Sequence, residues 1–150
     1  MKMYFRSDFE RDFKRAFDNM VRRSFDDEEV LSQRDLVAKV VHSPAPKFYI
    51  TYEMARRNVS ALLKGRLPDC HNRLKMLMYA DIARLTLDYQ RRHKRYADNF
   101  NGALMAVLAE SPAPRFYINE KSAYNLLCSL QRRQLRQYRN KQLNTIENGK

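Results

Sequence analysis

The sequence predicts an all-α fold made by tandem duplication of a three-helix unit. Three observations predict it. The stretch SPAPKFYI, Ser43 to Ile50, recurs as SPAPRFYI, Ser111 to Ile118, with Lys47 exchanged for Arg115. The apolar residues around both copies recur in step with them. Gly is rare, 3 residues in 150, and of 5 prolines all but Pro68 lie in the two copies. That composition favours helices over strands and turns.

The repeat has a readable register, and periods of this kind are settled before fold. Leu36, Ala38 and Val40 match Leu104, Ala106 and Leu108 at an offset of 68. Ala55, Val59 and Leu62 match Ala123, Leu127 and Leu130 at the same offset. Upstream, Asp12–Arg23 lies against Asp81–Arg92 at an offset of 69. The units run over about 4–66 and 73–134 of a single domain, 1–150, and residues 135–150 form a basic helical extension ending in a frayed tail.

In the first unit, Phe5, Phe9, Phe13 and Phe17 recur at i, i+4 steps with Met20 and Val21, which is an amphipathic helix. Glu10–Lys14 and Asp18–Arg22 are expected to pair along it. The acidic run Asp26–Glu29 ends the stripe. Ser32 with Asp35 suits the N-cap of a second helix whose apolar face is Leu36, Val37, Val40 and Val41. A third helix opens at Thr51, carries Glu53 in its first turn, and ends at Gly65, a good residue just past a helix end.

The second unit repeats the plan. Leu74, Leu77, Met78, Ile82, Leu85 and Tyr89 mark a long helix that starts near Pro68-Asp69 and runs to the basic cluster Gln90–Tyr96. Asn101-Gly102 precedes a short helix faced by Leu104, Val107 and Leu108. Asn119, followed by Glu120, caps a last helix that no Gly interrupts and that continues to about Leu143.

The prolines between the helices explain the breaks. Each removes a donor and drives the residue before it out of the helical region. The second helices must stop near His42 and Glu110, and a stiff polyproline-like run follows. Phe48-Tyr49-Ile50 then has strand character, with Phe48 and Ile50 inward and Tyr49 outward. About nine residues separate the helices, too many for a helix-turn-helix. A three-residue strand is unstable alone, so the two FYI segments could pair across a pseudo-twofold axis.

Charge points toward a partner. The net charge is +12, with 19 Arg and 10 Lys, and it is uneven: residues 1–35 hold 8 basic and 9 acidic side chains, while residues 36–150 hold 21 and 8. Such asymmetry suggests a polyanion for the later part of the chain. Lys47 and Arg115 precede helix N-termini, where free N–H groups hold phosphates. Tyr49 and Tyr117 could bond a phosphate or stack on a base. Arg56, Arg57 and Lys64 on the third helix match Lys121, Arg132 and Arg133 on the last, which continues to Arg136 and Arg139. Arg91, Arg92 and Arg95 add a separate cluster.

Other classes find little support. Met1–Phe13 is charged throughout, so no secretory signal is expected, and no apolar run is long enough to span a membrane. Cys70 and Cys128 make no disulfide framework. A reduced, cytoplasmic protein is therefore the default. His42, His71 and His93 lack metal-ligand spacing, no nucleotide or hydrolase motif is present, and no cofactor is expected. Asp12 and Asp81 recur in both units, and each is expected to be exposed and paired with a neighbouring Arg. The chain reads as a non-enzymatic nucleic-acid-binding protein, with duplex DNA favoured over RNA and a homodimer compatible. The alternative is an assembly module whose Phe-rich first helix docks a partner or a second copy.

Overall fold

A computed structural model describes residues 5–68 and 72–148; Asp69, Cys70, His71 and the terminal residues 1–4 and 149–150 lie outside it. Among the described residues there are six α-helices: α1 (Arg6–Asp26), α2 (Gln33–Val41), α3 (Tyr52–Leu63), α4 (Arg73–Arg92), α5 (Phe100–Glu110) and α6 (Glu120–Asn148). A short 3-10 turn, Lys94–Tyr96, joins α4 to α5. The all-helical expectation holds. None of these helices is long and apolar enough to cross a membrane.

The phenylalanine stripe does what its period implies. Phe9, Phe13 and Phe17 are buried in the core, as are Leu36, Val37, Val40 and Val41 of α2. Of the same stripe, Phe5 and Met20 are half-buried and Val21 is exposed. The ion pairs along α1 fall one turn away from those expected: Arg6 holds Glu10 at 3.1 Å and Lys14 holds Asp18 at 2.7 Å. Glu10 is also claimed by Arg133, so Lys14 turns the other way.

Capping sets the helix starts. Ser32 and Asp35 form a reciprocal capping box on α2. Thr51 accepts from the Met54 N–H, and Asn119 accepts from the Ser122 N–H at 2.7 Å. Two expected starts move. The cap of α4 is Asn72, and that of α5 is Asn99, whose side chain accepts from the Gly102 N–H. Gly102 therefore lies inside the first turn, and a Cβ there would sit 2.5 Å from the Asn99 side chain. On α4 the buried face is Met78, Tyr79, Ile82, Ala83 and Thr86, while Leu77 is exposed.

Both α1 and α3 end in the same hydrogen-bonded loop. The Gly65 N–H reaches Leu62 O and the Arg66 N–H reaches Ala61 O, with Gly65 at φ 73°. The Glu28 N–H reaches Phe25 O and the Glu29 N–H reaches Ser24 O, with Glu28 at φ 55°. This is the Schellman arrangement, which favours glycine at the left-handed position. Glu28 holds it at a steric cost of about 1–2 kcal/mol.

The packing of the helices is exchanged relative to their order in the chain. Helix α3 packs on α4 and α5, and α6 packs on α1 and α2. Each SPAP segment therefore carries its following helix across to the other half. The crossing point is a pair of backbone bonds: the Ala45 N–H donates to Ala113 O at 2.9 Å, and the Ala113 N–H donates to Ala45 O at 3.0 Å.

The strands expected at the two FYI segments do not form. Pairing is confined to this one bridge, three residues upstream. The donors that would extend it are already used. Ser43 and Ser111 N–H cap Val40 O and Val107 O, and the Phe116 N–H bonds Val41 O at 3.1 Å. Alanine suits the crossing, since both residues are buried and a bonded antiparallel pair brings backbones to about 5.5 Å.

Candidate nucleic-acid interface

Around the Ala45–Ala113 crossing the two motif copies stack on each other. Phe48 lies on Tyr117 with ring centroids 6.1 Å apart, and Tyr49 lies on Phe116 at 6.5 Å. Phe116 also meets Phe9 and Phe13 edge-on, each at 5.8 Å. These contacts place Phe48, Phe116 and Ile50 in the core, inward as the period-two reading expects.

The tyrosines are half-buried, and their hydroxyls are bonded within the chain. The Tyr49 hydroxyl donates to Asp12 Oδ2 at 2.7 Å, and the Tyr117 hydroxyl donates to Asp81 Oδ2 at 2.6 Å. Burial pushes both phenols well above the usual value, and the aspartate hydrogen bond and charge push them further. The aspartates were expected on exposed positions. Asp12 is instead buried, although Arg11 Nε does reach its Oδ1 at 3.3 Å, and Asp81 is half-buried with Arg84 as a loose neighbour at 3.8 Å. The reason is the phenol, which supplies the hydrogen bond that a desolvated carboxylate needs. Sequence reasoning missed this pairing, although both partners stand at the repeat offsets.

The cations beside the motif are likewise engaged. Lys47 Nζ lies 3.3 Å from Asp8 Oδ2 and 4.1 Å above the Phe5 ring. Arg115 Nε donates to Phe116 O at 3.4 Å, and its guanidinium lies 6.0 Å from the Tyr117 ring. The motif copies thus form a clasp in which Lys47, Tyr49 and Tyr117 are held by Asp8, Asp12 and Asp81 of α1 and α4.

The other candidate residues divide into three places. On α3, Arg56 pairs with Glu53 at 3.1 Å, while Arg57 and Lys64 are exposed. At the end of α4, Arg91 and Arg92 share Asp88 at 3.2 and 3.0 Å, and Arg95 donates to the Tyr96 hydroxyl at 2.7 Å. On α6, Lys121 is exposed near the start. Arg133 grips Glu10 through Nη1 and Nη2, each donating at 3.3 Å to one carboxylate oxygen. Burial would raise the Glu10 pKa, but the hydrogen bonds and charge of Arg133 and Arg6 outweigh it and hold the carboxyl below its usual value.

Beyond that grip α6 leaves the bundle. Residues 132–147 are exposed on every side. Arg132, Arg136, Arg139 and Lys141 have no carboxylate partner among the described residues. At 3.6 residues per turn, Arg132, Arg136 and Arg139 fall within about 60° of arc and span about 10 Å along the axis. Like charges at i, i+4 weaken an isolated helix by about 0.2–0.5 kcal/mol per pair. The arm is therefore a cationic ridge that a bound polyanion would stabilise.

No group of three or more His, Cys, Asp or Glu side chains that could hold a metal occurs among the described residues. No family model matches the chain, and neither the curated proteins nor the solved structures contain a match to it.

Proposed function

We propose that the chain is a non-enzymatic, nucleic-acid-binding protein, with duplex DNA as the preferred partner and the outer half of α6 as the principal contact. The observation that carries this reading is the ridge of Arg132, Arg136 and Arg139 on a helix that has left the core, where no carboxylate among the described residues neutralises these arginines. Arginine's planar fork fits phosphate oxygens bidentately. Tyr138, exposed on the same arm, offers a stacking face. Lys121 and the α3 cations Arg57 and Lys64 supply further charge. Lys47, Tyr49, Arg115 and Tyr117 act in this reading as the clasp that fixes where α6 points.

The same reading takes the chain as a tandem duplication with exchanged third helices. The reciprocal Ala45–Ala113 bridge, the two cross-stacked ring pairs and the two Tyr–Asp bonds support that view. The second copy of the third helix has been lengthened, and the lengthened part holds the binding ridge.

The test is a fluorescence titration of the full chain with duplex DNA, single-stranded DNA and RNA at two salt concentrations. Binding should be tightest to duplex DNA and should weaken steeply with salt. Reversing Arg132, Arg136 and Arg139 to Glu together should reduce affinity for every duplex sequence alike. Unchanged binding in that triple variant would overturn the reading.

A further inference from the structure

We propose that two copies of this chain associate through an apolar groove between the end of α3 and α4, which receives the acidic turn after α1 of the second copy. The groove has a volume of about 940 Å³. Its floor is Leu63, Ala80, Ala83 and Leu87, and Leu63 and Leu87 are 48% and 44% exposed. Its rim carries Arg84, Arg91 and Lys94. An apolar floor under a cationic rim fits an occupant that presents exposed apolar side chains beside acidic ones.

The groove exists because α3 stops. Gly65 turns the chain away from α4 after Leu63, leaving the outer part of α4 uncovered. The matching face of α1, at the offset of 69, carries Arg11, Lys14 and Asp18 where α4 has Ala80, Ala83 and Leu87. An ordinary solvated helix face would look like α1. The α4 face instead keeps Ala80 and Leu87 in the open beside the buried Ala83.

Among the described residues, two segments outside the groove expose more than one large apolar side chain that could fill it. One is the arm of α6, with Leu135, Leu143 and Ile146, but its arginines would meet the arginines of the rim. The other is the turn Phe25–Leu31. Phe25 is 82% exposed and Val30 is 100% exposed, and Asp26, Asp27, Glu28 and Glu29 stand between them. Those exposures show that the turn does not sit in the groove of its own chain.

The turn is also held in shape. The Schellman bonds fix its backbone, and the Ser24 hydroxyl donates to Glu29 O at 3.0 Å. Presenting Phe25 therefore costs little ordering entropy on association. A twofold axis lets each copy give one turn and receive one, which closes the assembly at a dimer.

Sedimentation of the full chain at low and high salt tests this. The wild type should form a dimer that weakens as salt rises. Leu87→Glu, on the groove floor, and the pair Phe25→Ser with Val30→Ser, on the turn, should each weaken association at least tenfold. All three positions are exposed, and unchanged helical circular dichroism checks that the variants fold. An equimolar mixture of the two variants should regain a heterodimer, because one intact turn then meets one intact groove. A wild type that stays monomeric overturns the proposal, as does a dimer indifferent to both sets of changes. A monomer whose groove takes a fluorescent fatty acid, lost in Leu87→Glu, would assign the groove to an anionic amphiphile instead. None of these positions lies on α6, so failure here leaves the DNA titration unaffected.

Discussion

Helices α3 and α6 begin alike and end differently. Each follows a SPAP-FYI segment, opens on a side-chain cap, and crosses to pack on the two helices of the other half. Helix α3 has 12 residues and stops at a glycine turn; α6 has 29 and runs on past its last packing partner. The shared beginning is structural and the divergent ends carry the proposed functions. Where α3 stops, an apolar groove opens on α4. Where α6 continues, a cationic arm projects.

The beginnings can be broken first, and the largest effect is expected there. Phe116 is fully buried against Phe9, Phe13 and Tyr49, whereas Phe48 stacks on Tyr117. Phe116→Ala should cost about 3–5 kcal/mol in urea unfolding, and Phe48→Ala less within the same range of core truncations. Equal losses would mean that the two crossings are equally anchored, against the contacts seen.

The phenol–aspartate bonds come next. Tyr49→Phe and Tyr117→Phe should each cost about 1–3 kcal/mol, since each leaves a desolvated carboxylate short of a donor. Their ionisation gives an independent reading. The folded-state value of each phenol lies above the unfolded value, ordinarily 10.0, so the stability it contributes is present below that pH. That stability is lost as pH rises further. Tyr49 and Tyr117 should resist ultraviolet titration until the chain unfolds.

The ends respond more weakly. Gly65→Ala puts a Cβ at φ 73° and should cost about 1 kcal/mol, while Glu28→Gly should add about 0.5–1 kcal/mol by removing the same strain from the end of α1. Thermal unfolding of the two variants should move in opposite directions. The smallest effect is expected at the exit of α6. Glu10 is held below its ordinary 4.5, so the Arg133 grip contributes stability above that pH and loses it as pH falls through the lower folded value. Arg133→Ala should flatten this acid dependence by under about 1 kcal/mol, because the arginine is exposed.

Much of the helical plan could be read from the sequence because period and caps act locally. The α1 stripe, the Ser32–Asp35 box, Thr51, Asn119 and the Gly65 stop all follow from neighbours a few residues apart. What could not be read was long-range. Exchange of α3 and α6 depends on the two prolyl segments crossing, and nothing local in SPAP distinguishes crossing from turning back. The FYI strands failed to appear because the Ser43, Ser111 and Phe116 N–H groups serve helix ends, which a period-two pattern cannot show. Tyr49 and Tyr117 were expected outward because alternation gives a side but not a partner. That partner, Asp12 or Asp81, lies 37 or 36 residues away. At the candidate interface, charge counting found the α6 arginines but could not separate Arg133, bound to Glu10, from Arg132 and Arg136, which are not.

The division of labour between clasp and arm is tested most directly by the salt dependence of duplex binding. The dissociation constant of the full chain should be measured over a range of salt for the wild type, for Lys47→Ala with Arg115→Ala, and for Arg132, Arg136 and Arg139 changed together to Ala. Each phosphate contact adds about 0.9 to the slope of log affinity against log salt. The arm variant should lose about 2–3 from that slope if each arginine holds one phosphate, and the clasp variant should keep the wild-type slope. A slope lost with Lys47 and Arg115, and retained without the three arm arginines, would contradict the account.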